Sequence, residues 1–187
     1  MSQNRYYQPI NVSNKAQYFI NNSKCVFISY QSQDREAAKK IADYILAAGI
    51  DVYFDQYDGD LRIANQSKNP KALVESLCKG VNSSSHMLAV VSPNTLQSRW
   101  VPFEIGFGYD KTEVITLCLK GIPVGSLPEY LRTKTVIRDV YDLNRRLSDF
   151  AGQSFQAMKV FNRLKDEDYT NPLLSVMDGL IADTYRV

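Results

Sequence analysis

The chain has 187 residues, 44% of them hydrophobic and 22% charged, with a formal net charge of +2; this is the composition of a soluble globular protein large enough for its own core. Lys and Arg are scattered and the densest cluster is Arg145-Arg146, so neither a nucleic-acid surface nor an anionic-membrane surface is indicated. No apolar run reaches membrane-spanning length and the N-terminus MSQNRYYQPI has no signal-peptide core, which makes the cytoplasm the expected compartment.

Residues 1–23, polar and interleaved with tyrosines, read as an N-terminal extension with a short helix at 14–21. The run CVFISY at 25–30 is continuously apolar, as a strand buried on both faces must be. Ser32 and Asp34 then stand as candidate helix caps. Ala37, Ala38, Ile41, Ala42, Ile45 and Leu46 recur at helical spacing, and Gly49 supplies the stop. IDVYF at 50–54 is a second strand. Residues 55–69 show no periodicity and are rich in Asp, Gln, Asn and Gly, so they read as a long loop.

Pro70 suits a first helical position, and that helix is expected to close at Gly80. A strand at His86–Val91 follows, ended by Ser92-Pro93-Asn94, and then a helix at about 98–110 that Ser98 caps. Strands at Val114–Leu119 and Thr135–Ile137 flank a loop at 121–128. Helical patterns at 139–149, 153–165 and 171–185 complete the chain, with Leu173, Met177, Leu180, Ile181 and Tyr185 on one face of the last. Strands alternating with helices imply a parallel sheet covered on both faces, an α/β, flavodoxin-like fold of five strands with extra C-terminal helices. The expected division is 1–23, 24–150 and 151–187, the last a helical extension packed on the central domain.

Cys25, Cys78 and Cys118 have no metal-ligand spacing and read as small buried hydrophobes. His86 is the one histidine and reads as structural, so a zinc site or a Ser-His-Asp triad is not indicated. There is no GxGxxG and no GxxxxGK[ST]. A phosphoreceiver would end its third strand on aspartate, where this chain has Val91-Ser92. Asp55, Asp58 and Asp60 lack the spacing of an EF-hand and read as a solvated acidic loop.

In a flavodoxin-like order the ligand site lies beside the end of the first strand. Tyr30, Gln31, Ser32 and Asp34 fall there, the loop after the second strand brings Asp55, and the third strand leads to Trp100 and Glu104. The last two are four residues apart, on one helix face. Two readings compete: Trp100 packs in the core and Glu104 is solvated, or the pair holds a cationic ring and stabilises positive charge as a bond to that ring breaks. Nicotinamide leaves NAD as a neutral molecule, so no general acid is needed. One carboxylate near the ribose suffices to stabilise an oxocarbenium-like ribosyl cation.

CVFISYQSQD at 25–34, IDVYFDQYD at 50–58 and VVSPNTLQSRWVPFE at 90–104 resemble a TIR domain of the bacterial type over roughly residues 24–140. Ser98, Trp100 and Glu104 match the Ser-x-Trp-x-x-x-Glu pattern of catalytic members. The resemblance implies a mobile loop after the second strand, Glu104 as the catalytic residue, and Tyr30, Ser32, Asp55, Ser98 and Trp100 as substrate-binding residues. NAD is then a substrate, with no separate cofactor and no metal. Self-association through TIR–TIR contacts is expected. Stand-alone bacterial relatives, as in Thoeris antiphage systems, make a cyclic ADP-ribose-type signal that passes to a downstream effector. The alternatives are a TIR–TIR interaction module without chemistry and a nucleoside deoxyribosyltransferase.

Overall fold

The computed structural model describes residues 2–7, 24–54, 70–160, 164–165 and 170–179. The helix expected at 14–21 and the loop at 55–69 lie outside the described residues. Five strands form one sheet: β1 (Cys25–Ser29), β2 (Asp51–Tyr53), β3 (His86–Val91), β4 (Glu113–Cys118) and β5 (Thr135–Ile137). Their order is β2-β1-β3-β4-β5 and every pairing is parallel, the flavodoxin-like arrangement. Six α-helices are described: α1 (Arg35–Ala47), α2 (Pro70–Asn82), α3 (Trp100–Gly108), α4 (Glu129–Arg132), α5 (Val140–Ala151) and α6 (Phe155–Val160).

The strands are apolar at successive positions because both faces of the sheet are covered. Val26, Ile28, Leu88, Val90, Ile115 and Leu117 face α1 and α5, where Ile41, Ile45, Leu143 and Leu147 meet them. Cys25, Phe27, Met87, Ala89 and Cys118 face the other way, towards Val81 of α2 and Val101 and Ile105 of α3. Burial pushes the Cys25 thiol up to about 11, which suits its reading as a hydrophobe.

Gly80 does not end α2, which runs on to Asn82. The residue is glycine because the helix crosses two stacked rings: a Cβ there would lie 2.6 Å from the Tyr53 ring and 2.7 Å from that of Phe27. Gly49 does end α1, with φ of 88°, a left-handed conformation that glycine adopts without strain.

Both termini pack on the core, and at the second, one expectation needs correction. Residues 2–7 are part of the sheet layer: Asn4 bridges Val52 in parallel, and Val52 N–H donates to the Gln3 carbonyl at 3.1 Å. Arg5, buried, pairs with Asp51 at 2.7 Å. At the other end, 171–179 is not helical throughout. It begins with a 3-10 turn at Pro172–Ser175, whose start the Asn171 side chain caps, and Asp178 bridges Asp139.

A buried polar knot overrides the helical periodicity there. Tyr44 donates to Asn144 Oδ1 at 2.8 Å and accepts from the Lys165 N–H at 3.1 Å, while Asn144 Nδ2 donates to the Lys165 carbonyl at 3.0 Å. Asn171 Nδ2 also donates to Tyr44, at 3.3 Å. Leu173 and Met177 are driven into the core beside this knot.

His86 sits at the opposite end of the sheet from the loops that follow the strands. Its Nδ1 lies 2.8 Å from Ser85 Oγ and its Nε2 3.4 Å from Glu113, which also pairs with Arg146. The ring packs on Phe150. Burial, outweighing the pull of Glu113, holds the imidazole below its ordinary 6.5; Lys24 and Arg146 add to the lowering.

This packing sets how stability responds to pH and to an added methyl group. Below pH 6.5 the unfolded chain takes up the proton first, so stability falls as the pH drops from 6.5 towards the native value. His86→Gln should flatten that loss in urea denaturation between pH 7.5 and 5. Gly80→Ala should destabilise by about 1–3 kcal/mol through overpacking. Gly106→Ala, whose new methyl meets nothing within 4 Å, should stabilise by about 0.5–1 kcal/mol through helix propensity. Thermal melts of the two variants check the opposite signs.

Candidate functional site

The site follows from where the chain turns. After β1 it crosses to α1 on one face of the sheet, and after β3 to α3 on the other. The two connections diverge between neighbouring strands, at the carboxyl ends of β1 and β3, which is where open α/β sheets hold ligands.

Glu104 lies on the inner face of α3 and is only 7% exposed, between Val101 and Ile105, both buried. An ionised carboxylate in such a place needs donors, since burial without them is costly. Ser29, the last residue of β1 and fully buried, supplies one: its hydroxyl donates to Glu104 Oε2. This bond joins β1 to α3 across the gap.

A second link lies beside it. Asp34, at the start of α1, accepts from Ser92 Oγ at 2.5 Å and from Asn94 Nδ2 at 2.8 Å. Ser92 Oγ in turn accepts from the backbone N–H groups of Asn94 and Thr95. Thr95 Oγ1 receives the Ser92 N–H at 3.1 Å and donates to the Val90 carbonyl at 3.0 Å. The loop after β3 is thereby tied both to its own strand and to the loop after β1.

The predicted site residues fall into different places. Trp100 and Glu104 do not share an environment: Trp100, the first residue of α3, is 38% exposed and meets the Phe103 ring edge-on at 6.0 Å. A core tryptophan beside a solvated glutamate is not what forms, because the tryptophan is outside and the glutamate inside. Ser98 caps α3 as expected, accepting from the N–H groups of Trp100 and Val101 at 3.3 and 3.2 Å.

Tyr30 is half-buried, its ring 5.3 Å from that of Phe54. Ser32 is exposed in a 3-10 turn and does not cap α1; the turn is capped by Gln31, whose Oε1 accepts from the Ser32 N–H. Asp34 makes no side-chain cap either, its oxygens being taken by Ser92 and Asn94. Asp55 lies outside the described residues. Among the described residues no group of three His, Cys, Asp or Glu could hold a metal ion.

Ser29 is the residue that sequence reasoning missed. A signal was there: it shares the parity of Cys25 and Phe27 along β1, so its side chain had to point to the face that α3 covers. Nothing in the sequence signalled the Asp34–Ser92 bond, whose partners are 58 positions apart.

The tie at Asp34 carries a measurable cost. Asp34→Ala removes the charged acceptor of two hydrogen bonds and should destabilise by about 1–3 kcal/mol. Faster hydrogen exchange confined to residues 92–98 would locate the loss.

The sequence model of the TIR domain family matches residues 26–158, well over half of the chain. Among solved structures, the chain is similar to the crystal structure of the TIR domain of the Toll-related receptor TRR-2 from the lower metazoan Hydra magnipapillata. The identity is 18%, the TM-score 0.47, and the match covers 75% of this chain and 98% of that one. No curated protein matches. The match over residues 26–158, on a parallel sheet of order β2-β1-β3-β4-β5, makes this chain a member of the TIR domain family.

Proposed function

We propose that this protein is an NAD-cleaving TIR enzyme in which Glu104 is the catalytic residue. The observation that carries the reading is the placement of that carboxylate, buried at the divergence between β1 and β3 and held by a neutral hydroxyl. Membership of the TIR domain family is compatible with NAD cleavage or with a scaffold, and the resemblance implies self-association in either case.

The chemistry follows from the charges. The bond between the ribose anomeric carbon and the nicotinamide nitrogen breaks, and its electron pair neutralises the pyridinium. The ribosyl group is left as an oxocarbenium-like cation. A carboxylate at the ribose hydroxyls stabilises that cation, more strongly where water is excluded. Water attacking the anomeric carbon and releasing a proton yields ADP-ribose; attack by a nucleophile of the same molecule yields a cyclic product. Trp100, exposed at the mouth of the helix, offers a flat face for a base or the departing ring. Tyr30, Ser32, Asp55 and Ser98 complete the proposed substrate contacts.

For the product and its setting we carry the resemblance one step further, to a diffusible cyclic ADP-ribose-type signal made in the cytoplasm and read by a downstream effector in antiphage defence. Among the described residues no helix is long and apolar enough to cross a membrane.

A non-catalytic TIR–TIR interaction module is the second reading. It is favoured by one observation: Leu96, in the 3-10 turn before α3, and Trp100 and Phe103, at the start of α3, are all exposed, large apolar side chains that a partner would cover.

Chromatography of NAD incubated with concentrated protein separates the two. The enzyme reading expects nicotinamide release together with ADP-ribose or a cyclic isomer, and a loss of about two to three orders of magnitude in turnover for Glu104→Gln. Turnover that survives the substitution would remove the role given to Glu104; no turnover in any state of assembly would leave the interaction module.

A further inference from the structure

We infer that Ser29 is a positioning residue for Glu104, an inference that rests on the NAD-cleaving reading. Its hydroxyl donates to Oε2 from the end of β1, and Ser29 is fully buried, so the donor itself is shielded from bulk water. The strand beneath is fixed: Ser29 is in register with Ala89 of β3, inside the parallel ladder. Glu104, by contrast, reaches the site on a side chain with three rotatable bonds, from a helix on the far side of the gap. A donor on the rigid strand removes the freedom of the terminal torsion, and an error of an ångström in placing a catalytic group can cost about a hundredfold in rate.

The chemical type of the donor matters as much as its place. Arg or Lys at this position would hold the carboxylate equally well, but would cancel the negative charge that must oppose a developing cation. A serine hydroxyl supplies one directed donor with no net charge. It binds the carboxylate without adding a countercharge of its own. Alanine would remove the donor and leave the backbone of the strand as it is. Ser29 touches Glu104 and acts through it, which separates its effect on turnover from any effect on substrate affinity.

The test compares steady-state NAD cleavage by the full chain with that of Ser29→Ala, Ser29→Thr and Glu104→Gln, each with its melting temperature. The expected result for Ser29→Ala is a fall of about ten- to a hundredfold in kcat with KM within about twofold of wild type, in a protein that melts cooperatively. Ser29→Thr keeps the donor, and β-branched residues suit a strand, so it should recover most of the rate. If Ser29→Ala does not fold, Ser29→Cys, close to isosteric and a weak donor, should show the same split. Wild-type kcat in folded Ser29→Ala, a change confined to KM, or a folded Ser29→Thr as slow as Ser29→Ala would each overturn the inference. In those cases an inactive Glu104→Gln would leave the NAD reading standing. A wild-type chain that never consumes NAD would remove both.

Discussion

A carboxylate can be kept under a layer of apolar side chains only if the protein replaces the water it has lost, and the architecture around Glu104 answers that constraint. A parallel sheet whose neighbouring strands send their connections to opposite faces leaves a cleft at their ends. The helix on one side brings the acid; the strand on the other brings a hydroxyl. Ser29 and Glu104 are 75 positions apart and meet only because β1 and β3 are neighbours in the sheet. The Asp34–Ser92–Asn94 network braces the same gap a few residues further out. Sheet order, the divergence of the two connections and the site geometry are therefore one fact seen at three scales.

The nine residues of α3 carry two kinds of surface. Inward, Val101 and Ile105 anchor the helix to the sheet and flank Glu104. Outward, Trp100 and Phe103 are exposed, and Phe103 stacks near Phe107, whose ring lies under the Lys111 ammonium at 3.1 Å. Apolar residues thus fall all round this helix, which is why its pattern alone does not say which side is buried. A partner seated on the outer side would bear on the element that holds the acid, so the catalytic and adhesive readings of the family draw on one short helix.

Much of the architecture was legible because it rests on local rules. Continuous apolar runs marked strands buried on both faces, Ser98 announced the start of α3, and Gly49 marked the end of α1. Glu104 was legible as a candidate from its place after the third strand. Its burial was not, since burial depends on which side of α3 meets β1, and that is set by packing. The exposure of Trp100 was not legible for the same reason. Gly80 shows a different limit: a glycine near the end of a helical pattern reads as a stop, whereas here it makes room for Tyr53 and Phe27. The C-terminal stretch failed as a continuous helix because Tyr44, Asn144, Asn171 and Lys165 form a buried knot whose members are scattered through the sequence. No local pattern announces a bond between distant side chains.

The segment at the very start of the chain has a bearing on how copies of this protein could build larger objects. Gln3 and Asn4 lie along the outer side of β2, where Asn4 exchanges hydrogen bonds with the backbone of Phe54, and Arg5 locks the segment down through Asp51. That margin already has its extra ribbon, and it is closed to cross-molecule β-augmentation. A second chain approaching the β2 margin edge to edge would first have to displace this segment and break the Arg5–Asp51 pair.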